Sequence, residues 1–157
     1  SPNLAITEQF NGSSWTEVAD LNTGRVSLAT TGATNTAILS FGGNVSPRAQ
    51  TESWNGSSWT EVNDLNTGRP SLAGSGSYTS AIASASSSSP KGQTEIWNGT
   101  NWTTSTDLNT GRDGGRAAGA DNTEGIHFGG RNEPTIYAST EEFTGAGATV
   151  TRTFTDS

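Results

Sequence analysis

Thr51–Arg69 reads TESWNGSSWTEVNDLNTGR. Nearly the same nineteen residues stand at Thr7–Arg25 as TEQFNGSSWTEVADLNTGR and at Thr94–Arg112 as TEIWNGTNWTTSTDLNTGR, and a worn fourth copy opens TEEFTG at Thr140. Such faithful repetition is an architectural signal first. A unit that cannot bury its own faces must stack on neighbours built the same way. Thr-Glu recurs at positions 7, 51, 94 and 140, giving spacings of 44, 43 and 46 residues. Periods of this length, with turn signals inside each unit, point to blades of four short strands.

Each unit divides accordingly. After Arg25 come VSLATTGAT, then NTAILSFGG, then a variable loop, then QTESWNG, then SSWTEVNDL. The second of these is mostly small and apolar, as a strand buried on both faces should be. No segment carries a 3.6-residue period, so almost no helix is expected. The third and fourth strands meet at Asn11-Gly12, Asn55-Gly56 and Asn98-Gly99, a strong hairpin signal. Phe10 and Trp15, Trp54 and Trp59, and Trp97 and Trp102 flank these turns. Each hairpin therefore carries a cross-strand aromatic pair that fixes register and covers the neighbouring blade. Sugar-stacking platforms are the alternative reading of these rings, but regular repetition favours packing.

Composition tests the assignment. Leu, Ile, Val and Phe make up about 15% of 157 residues and the net charge is −7, which alone would suit a disordered chain. Five Trp residues, three of them at one fixed place in the repeat, argue for packed thin sheets instead. There is no Cys, which removes disulfides, thiol nucleophiles and thiolate metal sites. No run approaches the length of a membrane span, and no signal peptide is visible. The acidic balance makes a nucleic-acid surface a poor expectation.

The pattern resembles the kelch repeat. Gly42-Gly43 and Gly129-Gly130 close the second strand, a variable loop leads to the Thr-Glu strand, an aromatic precedes the turn, a Trp follows it, and Arg opens the next unit. Two departures stand out: Ser84-Ala85 where the other units have Gly-Gly, and Ala148 where Trp is expected. The wording NGSSWTEV…DLNTGR is also similar to kelch-like proteins of marine bacteriophages. The resemblance implies an all-β, kelch-like β-propeller segment of about three and a half four-stranded blades. Residues 1–24 are an outer hairpin of an incomplete blade, 25–65 and 69–108 are blades, and 112–157 is a blade with a degenerate outer edge. The orphan hairpin and the missing initiator Met point to further blades of the same chain, or to other chains, completing the ring.

Catalytic chemistry is not expected. His127 is the single His and lies in GIHFGG, on a strand expected to be buried, so a structural role is expected of it. A lone His without Cys makes no ordinary zinc site, and the Cys–Tyr copper centre of the kelch enzyme galactose oxidase has no counterpart. GxSxG, P-loop and dinucleotide fingerprints are absent. Asp20, Asp64 and Asp107 each stand in D-x-N-x-G, which lacks the further ligands of a calcium loop; an Asp capping its own turn is expected. Asn11, Asn44, Asn55, Asn98 and Asn101 lie in N-x-[ST] sequons, three of which coincide with the hairpin turns. No catalytic residue, metal ligand or cofactor is expected.

Two residue sets remain. Arg25, Arg69 and Arg112 open the inner strands, while Glu52, Glu95 and Glu141 open the third strands, so structural pairing of guanidinium with carboxylate is expected near one rim. The loops NVSPRAQ, SSSSPKG and RNEPTIYAS differ while their scaffold repeats, and divergent loops on a constant scaffold can carry recognition. They supply Arg48, Lys91, Arg131, Asn132, Glu133 and Tyr137 as binding candidates. Trp15, Trp54, Trp59, Trp97 and Trp102 belong to the structural repeat. The expected role is a non-enzymatic structural or binding propeller in an extracellular or virion assembly, such as a phage tail or fibre component. The alternative is a secreted module that binds a cell-surface glycan.

Overall fold

Small and β-branched residues recur through each repeat, and most runs end at a Gly, Asn or Asp, so the chain folds into short strands joined by tight turns. The computed structural model describes residues 4–145 and the backbone of 149–152, and the described residues contain no helix. A two-stranded antiparallel sheet comes first, β1 (Thr7–Phe10) with β2 (Trp15–Val18). A four-stranded antiparallel sheet follows: β3 (Ala29–Thr34), β4 (Ala37–Phe41), β5 (Thr51–Trp54) and β6 (Trp59–Val62). The next has the same order: β7 (Ala73–Gly76), β8 (Ala81–Ser84), β9 (Thr94–Trp97) and β10 (Trp102–Thr104). In the last, β11 (Arg116–Ala118), β12 (Glu124–Phe128), β15 (Thr140–Thr144) and β16 (Thr149–Arg152) pair in sequence. Between β12 and β15 the third variable loop forms a small hairpin of its own, β13 (Arg131–Asn132) with β14 (Thr135–Ile136). The sequence predicts loop there, and the structure pairs Arg131 with Ile136 and Asn132 with Thr135 instead. Ala148 lies outside the described residues.

The innermost strands β3, β7 and β11 lie side by side, with β7 touching both of the others. The arrangement is a β-propeller segment of three four-stranded blades preceded by half a blade. Its core lies between the first two complete blades, where Leu39 and Phe41 of β4 meet Leu72, Ala81, Ala83, Trp97 and Trp102. Phe41 stands edge-on to Trp102 with ring centroids 4.8 Å apart. Gly74 faces this aromatic: a Cβ there would come within 2.8 Å of the Phe41 ring, so the inner strand has no room for any larger residue.

Phe10 pairs with Trp15, Trp54 with Trp59 and Trp97 with Trp102 across their hairpins, with centroids 5.2 to 5.4 Å apart. The indole of Trp54 donates to Asn35 O and that of Trp97 to Tyr78 O, tying each hairpin to the first turn of its own blade. The second Trp reaches back to the preceding blade: Trp59 donates to Thr7 Oγ1 and Trp102 to Thr51 Oγ1, both at 3.1 Å. Coverage depends on what precedes each blade. Trp102, against a complete blade, is 4% exposed, whereas Trp15, with no blade before it among the described residues, is 65% exposed. Burying such a ring contributes on the order of 3 kcal/mol.

Two sequence readings are corrected here. The residues equivalent to Gly42-Gly43 and Gly129-Gly130 are Ala85-Ser86, one position later than the Ser84-Ala85 assigned from the sequence. Gly42 N donates to Gln50 O, Ala85 N to Gln93 O and Gly129 N to Ser139 O, and all three residues are left-handed, with φ of 69°, 67° and 65°. Ala85 accepts a conformation that usually selects glycine. The second correction concerns β12, read as buried on both faces. β8 is buried throughout, but in β12 the ring of His127 is buried while Ile126 and Phe128 are each 40% exposed. The face they occupy is the one that β4 and β8 press against the following blade.

Candidate functional site

Three buried polar clusters recur at the start of the complete blades. Arg25 donates to Glu52 at 3.0 Å, Arg112 to Glu141 at 2.6 Å, and Arg69 pairs with Glu95. All six residues are at most 4% exposed. Each Arg therefore meets the Glu of its own blade rather than a neighbour's. The guanidinium also donates to backbone carbonyls that end the second strand or begin the third: Gly42 O and Gln50 O for Arg25, Ala85 O and Ala83 O for Arg69, Ser139 O for Arg112. Burial pulls the Arg25 and Arg112 groups down from their ordinary value, opposed by the charges of Glu52 and Glu141.

The carboxylates do a second job that the sequence reading missed. Glu52 Oε2 accepts from the backbone N–H and side-chain amide of Asn22, both at 2.8 Å. Glu95 Oε2 accepts the same two donors of Asn66 at 2.7 and 2.9 Å, and Glu141 Oε2 accepts the N–H of Asn109 at 2.6 Å. The L-N-T-G link between blades is thus pinned at its Asn to the third strand of the blade it enters. Carboxylate oxygens shared among a guanidinium and amides are well-satisfied buried charges. The aspartates of the same link behave differently from expectation as well. Asp20, Asp64 and Asp107 do not cap their own turns; they accept from the N–H of Thr7, Thr51 and Thr94 at 3.3, 3.1 and 3.1 Å, closing the open end of each hairpin. An N–H beyond the end of the hairpin ladder needs an acceptor, and Asp supplies it.

The variable loops lie on the rim that carries these links. Each contains a cis X-Pro bond, at Ser46-Pro47, Ser89-Pro90 and Glu133-Pro134. Arg48 is exposed and left-handed, with φ 62°, and its carbonyl accepts from Arg69 N. The second and third loops converge. Lys91 Nζ donates to Asn132 Oδ1 at 2.8 Å and lies 3.7 Å from Asp113 Oδ2. Arg131 meets Asp113 at 3.4 Å and Glu133 at 3.0 Å. Tyr137 sits beneath the Arg112 guanidinium, 5.8 Å from its ring centroid, a cation–π distance. Asp113 was missed from the sequence, although it stands where the other units have Val26 and Pro70, and that departure was the available signal.

The cluster holds two cations and two anions, so its field is balanced. Beside it is a recess of about 440 Å³ lined by Ser71, Asp113, Gly114, Gly130, Arg131 and Ile136, and Ile136 is 83% exposed. A recess with balanced charges, several hydrogen-bonding groups and one bare aliphatic side chain suits a polar, uncharged surface better than an anion. Among the described residues no group of three or more His, Asp or Glu could hold a metal ion.

His127 lies elsewhere, between the last two blades. Its Nδ1 is 3.0 Å from Ser84 Oγ of the neighbouring blade, and the ring is 3% exposed. Burial, with a smaller push from Arg112, lowers its pKa to about 4, which keeps the ring neutral at physiological pH. It packs two blades together and faces no open recess of the loop rim.

No protein-family model and no curated protein matches the sequence. A solved structure titled "Structure of YjhT" superposes with a TM-score of 0.75 at 14% identity, over 95% of this chain and 52% of that one. The likeness is one of fold. The chain spans about half the length of that structure.

Proposed function

We propose that this chain is a non-catalytic structural and binding unit, a kelch-like propeller segment of an extracellular or virion assembly such as a phage tail or fibre component. The observation that carries the reading is the contrast between frame and rim. Arg, Glu and Asn hold the same buried geometry at the entry to each blade, while the third loop departs from the first two in length and charge and forms a hairpin of its own. A frame conserved within one chain beneath divergent loops is economical for presenting recognition surfaces. The virion setting comes from the resemblance of NGSSWTEV…DLNTGR to phage proteins. Partners in this reading are further blades or other chains that complete the ring. Mass spectrometry of purified particles from the source tests it: the chain should appear at a fixed stoichiometry, and its presence solely in the soluble fraction would sink the proposal.

A second reading is favoured by the exposed Ile136 beside Asp113 and Arg131, an apolar platform flanked by hydrogen-bonding groups of the kind that suits a sugar. In this reading the chain is a secreted carbohydrate-binding module. A glycan array should then give binding that Tyr137→Ala or Lys91→Ala abolishes, and a blank array rejects it.

A further inference from the structure

The half-blade at the start of the chain is built to the same plan as the others but lacks the strands that complete them. Its Thr7 N–H is closed by Asp20, as Thr51 is by Asp64, and Phe10 faces Trp15 as Trp54 faces Trp59. The difference is Glu8. At the equivalent positions Glu52, Glu95 and Glu141 are at most 2% exposed, each holding an Arg and a link amide. Glu8 is exposed, with no guanidinium or amide on it among the described residues. Arg25, Arg69 and Arg112 are all committed to their own blades.

The edge and the space beside Glu8 are open too. β5 and β9 pair on both sides, whereas β1 pairs with β2 alone. A recess of about 230 Å³ borders β1, lined in part by Phe10, Trp15, Ile38, Trp54 and Trp59. In the next interface the position matching Trp59 is Trp102, and it is covered by Phe41 from the second strand of the preceding blade. Among the described residues no such strand stands over Trp59.

We infer that the free edge of β1 is a docking site for a two-stranded antiparallel β-segment with the chemistry of this repeat's own inner pair. The segment carries a leading Arg that binds Glu8, and an aromatic or branched residue near the end of its second strand that covers Trp59. Strand addition supplies backbone hydrogen bonds, and the Arg–Glu8 pair sets the register. Charge complementarity selects this occupant: each of the other three glutamates is met by an Arg delivered on such a pair. A second copy of this chain does not qualify, because its inner pairs are already built into its own blades. The inference rests on the reading of the chain as part of a larger propeller, but not on a virion setting.

The test is a peptide spanning residues 25–44, titrated into the full chain with hydrogen exchange as the readout. Saturable binding should slow exchange of the β1 amides. Glu8→Gln in the protein, or Arg25→Ala in the peptide, should each weaken binding by about thirtyfold or more, and the two together little further. Glu8 is exposed, so Glu8→Gln should leave the unfolding midpoint of the free chain unchanged. A fusion gives an independent readout. Residues 25–44 placed ahead of Ser1 leave the same seven residues before Thr7 that separate Gly43 from Thr51. The fusion should raise the unfolding midpoint, and Glu8→Gln should cancel the gain. The inference fails if the fusion brings no gain, if Glu8→Gln alters neither readout, if protection falls on another edge, or if the free chain self-associates through β1. None of these outcomes bears on whether the chain is found in particles.

Discussion

Glu95→Ala isolates what the buried clusters are worth. The carboxylate is fully buried and accepts from Arg69, from both donors of Asn66 and from Thr67 N. Removing it strands a guanidinium that is 1% exposed, and breaking such a pair from one side costs about 3–5 kcal/mol. The link amides of Asn66 and Thr67 lose their acceptor as well, adding about 1 kcal/mol or more where water cannot replace it. A loss of about 4–6 kcal/mol would consume much of a domain's usual margin. Arg69→Met combined with Glu95→Leu removes the uncompensated charge but leaves the amides and the carbonyls of Ala83 and Ala85 short of partners. The double variant should therefore be more stable than Glu95→Ala by about 2 kcal/mol, yet less stable than the parent. Equilibrium urea unfolding, followed by Trp fluorescence, measures all three. If Glu95→Ala costs less than about 1 kcal/mol, or if the double variant is the weaker of the two, the reasoning is wrong.

Two further outcomes follow from burial. Trp102→Ala should cost about 3–5 kcal/mol by emptying the contact with Phe41 and the bond to Thr51 Oγ1, while Trp15→Ala should stay within about 0.5 kcal/mol; similar urea midpoints for the two would contradict the blade order. His127, with its folded pKa of about 4 below an ordinary value of 6.5, binds its proton more readily when unfolded. The stability kept by its neutral form is complete above pH 6.5 and is lost as pH falls toward 4, by about 3 kcal/mol at most. His127→Gln should flatten that part of the stability–pH curve, and an unchanged slope would place the titration elsewhere.

The blades were legible because the repeat displays its period directly and Asn-Gly marks each hairpin. Arg and Glu recurring at fixed places in each complete unit also announced a pair, since opposite charges that repeat together in a sparsely charged scaffold need partners. The chain did not reveal that Asn22, Asn66 and Asn109 complete those pairs. D-L-N-T-G satisfies ordinary turn chemistry, and a link amide bound to a glutamate some thirty residues away leaves no local mark. Ala85 was misplaced by one position for a related reason: two glycines look like the signal, whereas the constraint is one left-handed residue followed by an amide facing the next link. The loop cluster was legible as a set of divergent residues. Its convergence on Asp113 depended on how neighbouring blades align, which no single unit encodes. β12 departs from the buried-strand pattern because, among the described residues, no further blade covers the face that carries Ile126 and Phe128.

Amide hydrogen exchange at Asn22, Asn66 and Asn109 tests the shared frame most directly. Link amides in ordinary surface loops exchange quickly, while those held by buried acceptors open only with larger unfolding. The account predicts that Asn22, Asn66 and Asn109 are protected to the level of the β4 and β8 strands, and that Asn132 and Glu133 in the rim hairpin exchange far faster. Rapid exchange at all three Asn positions alongside protected strands would contradict it.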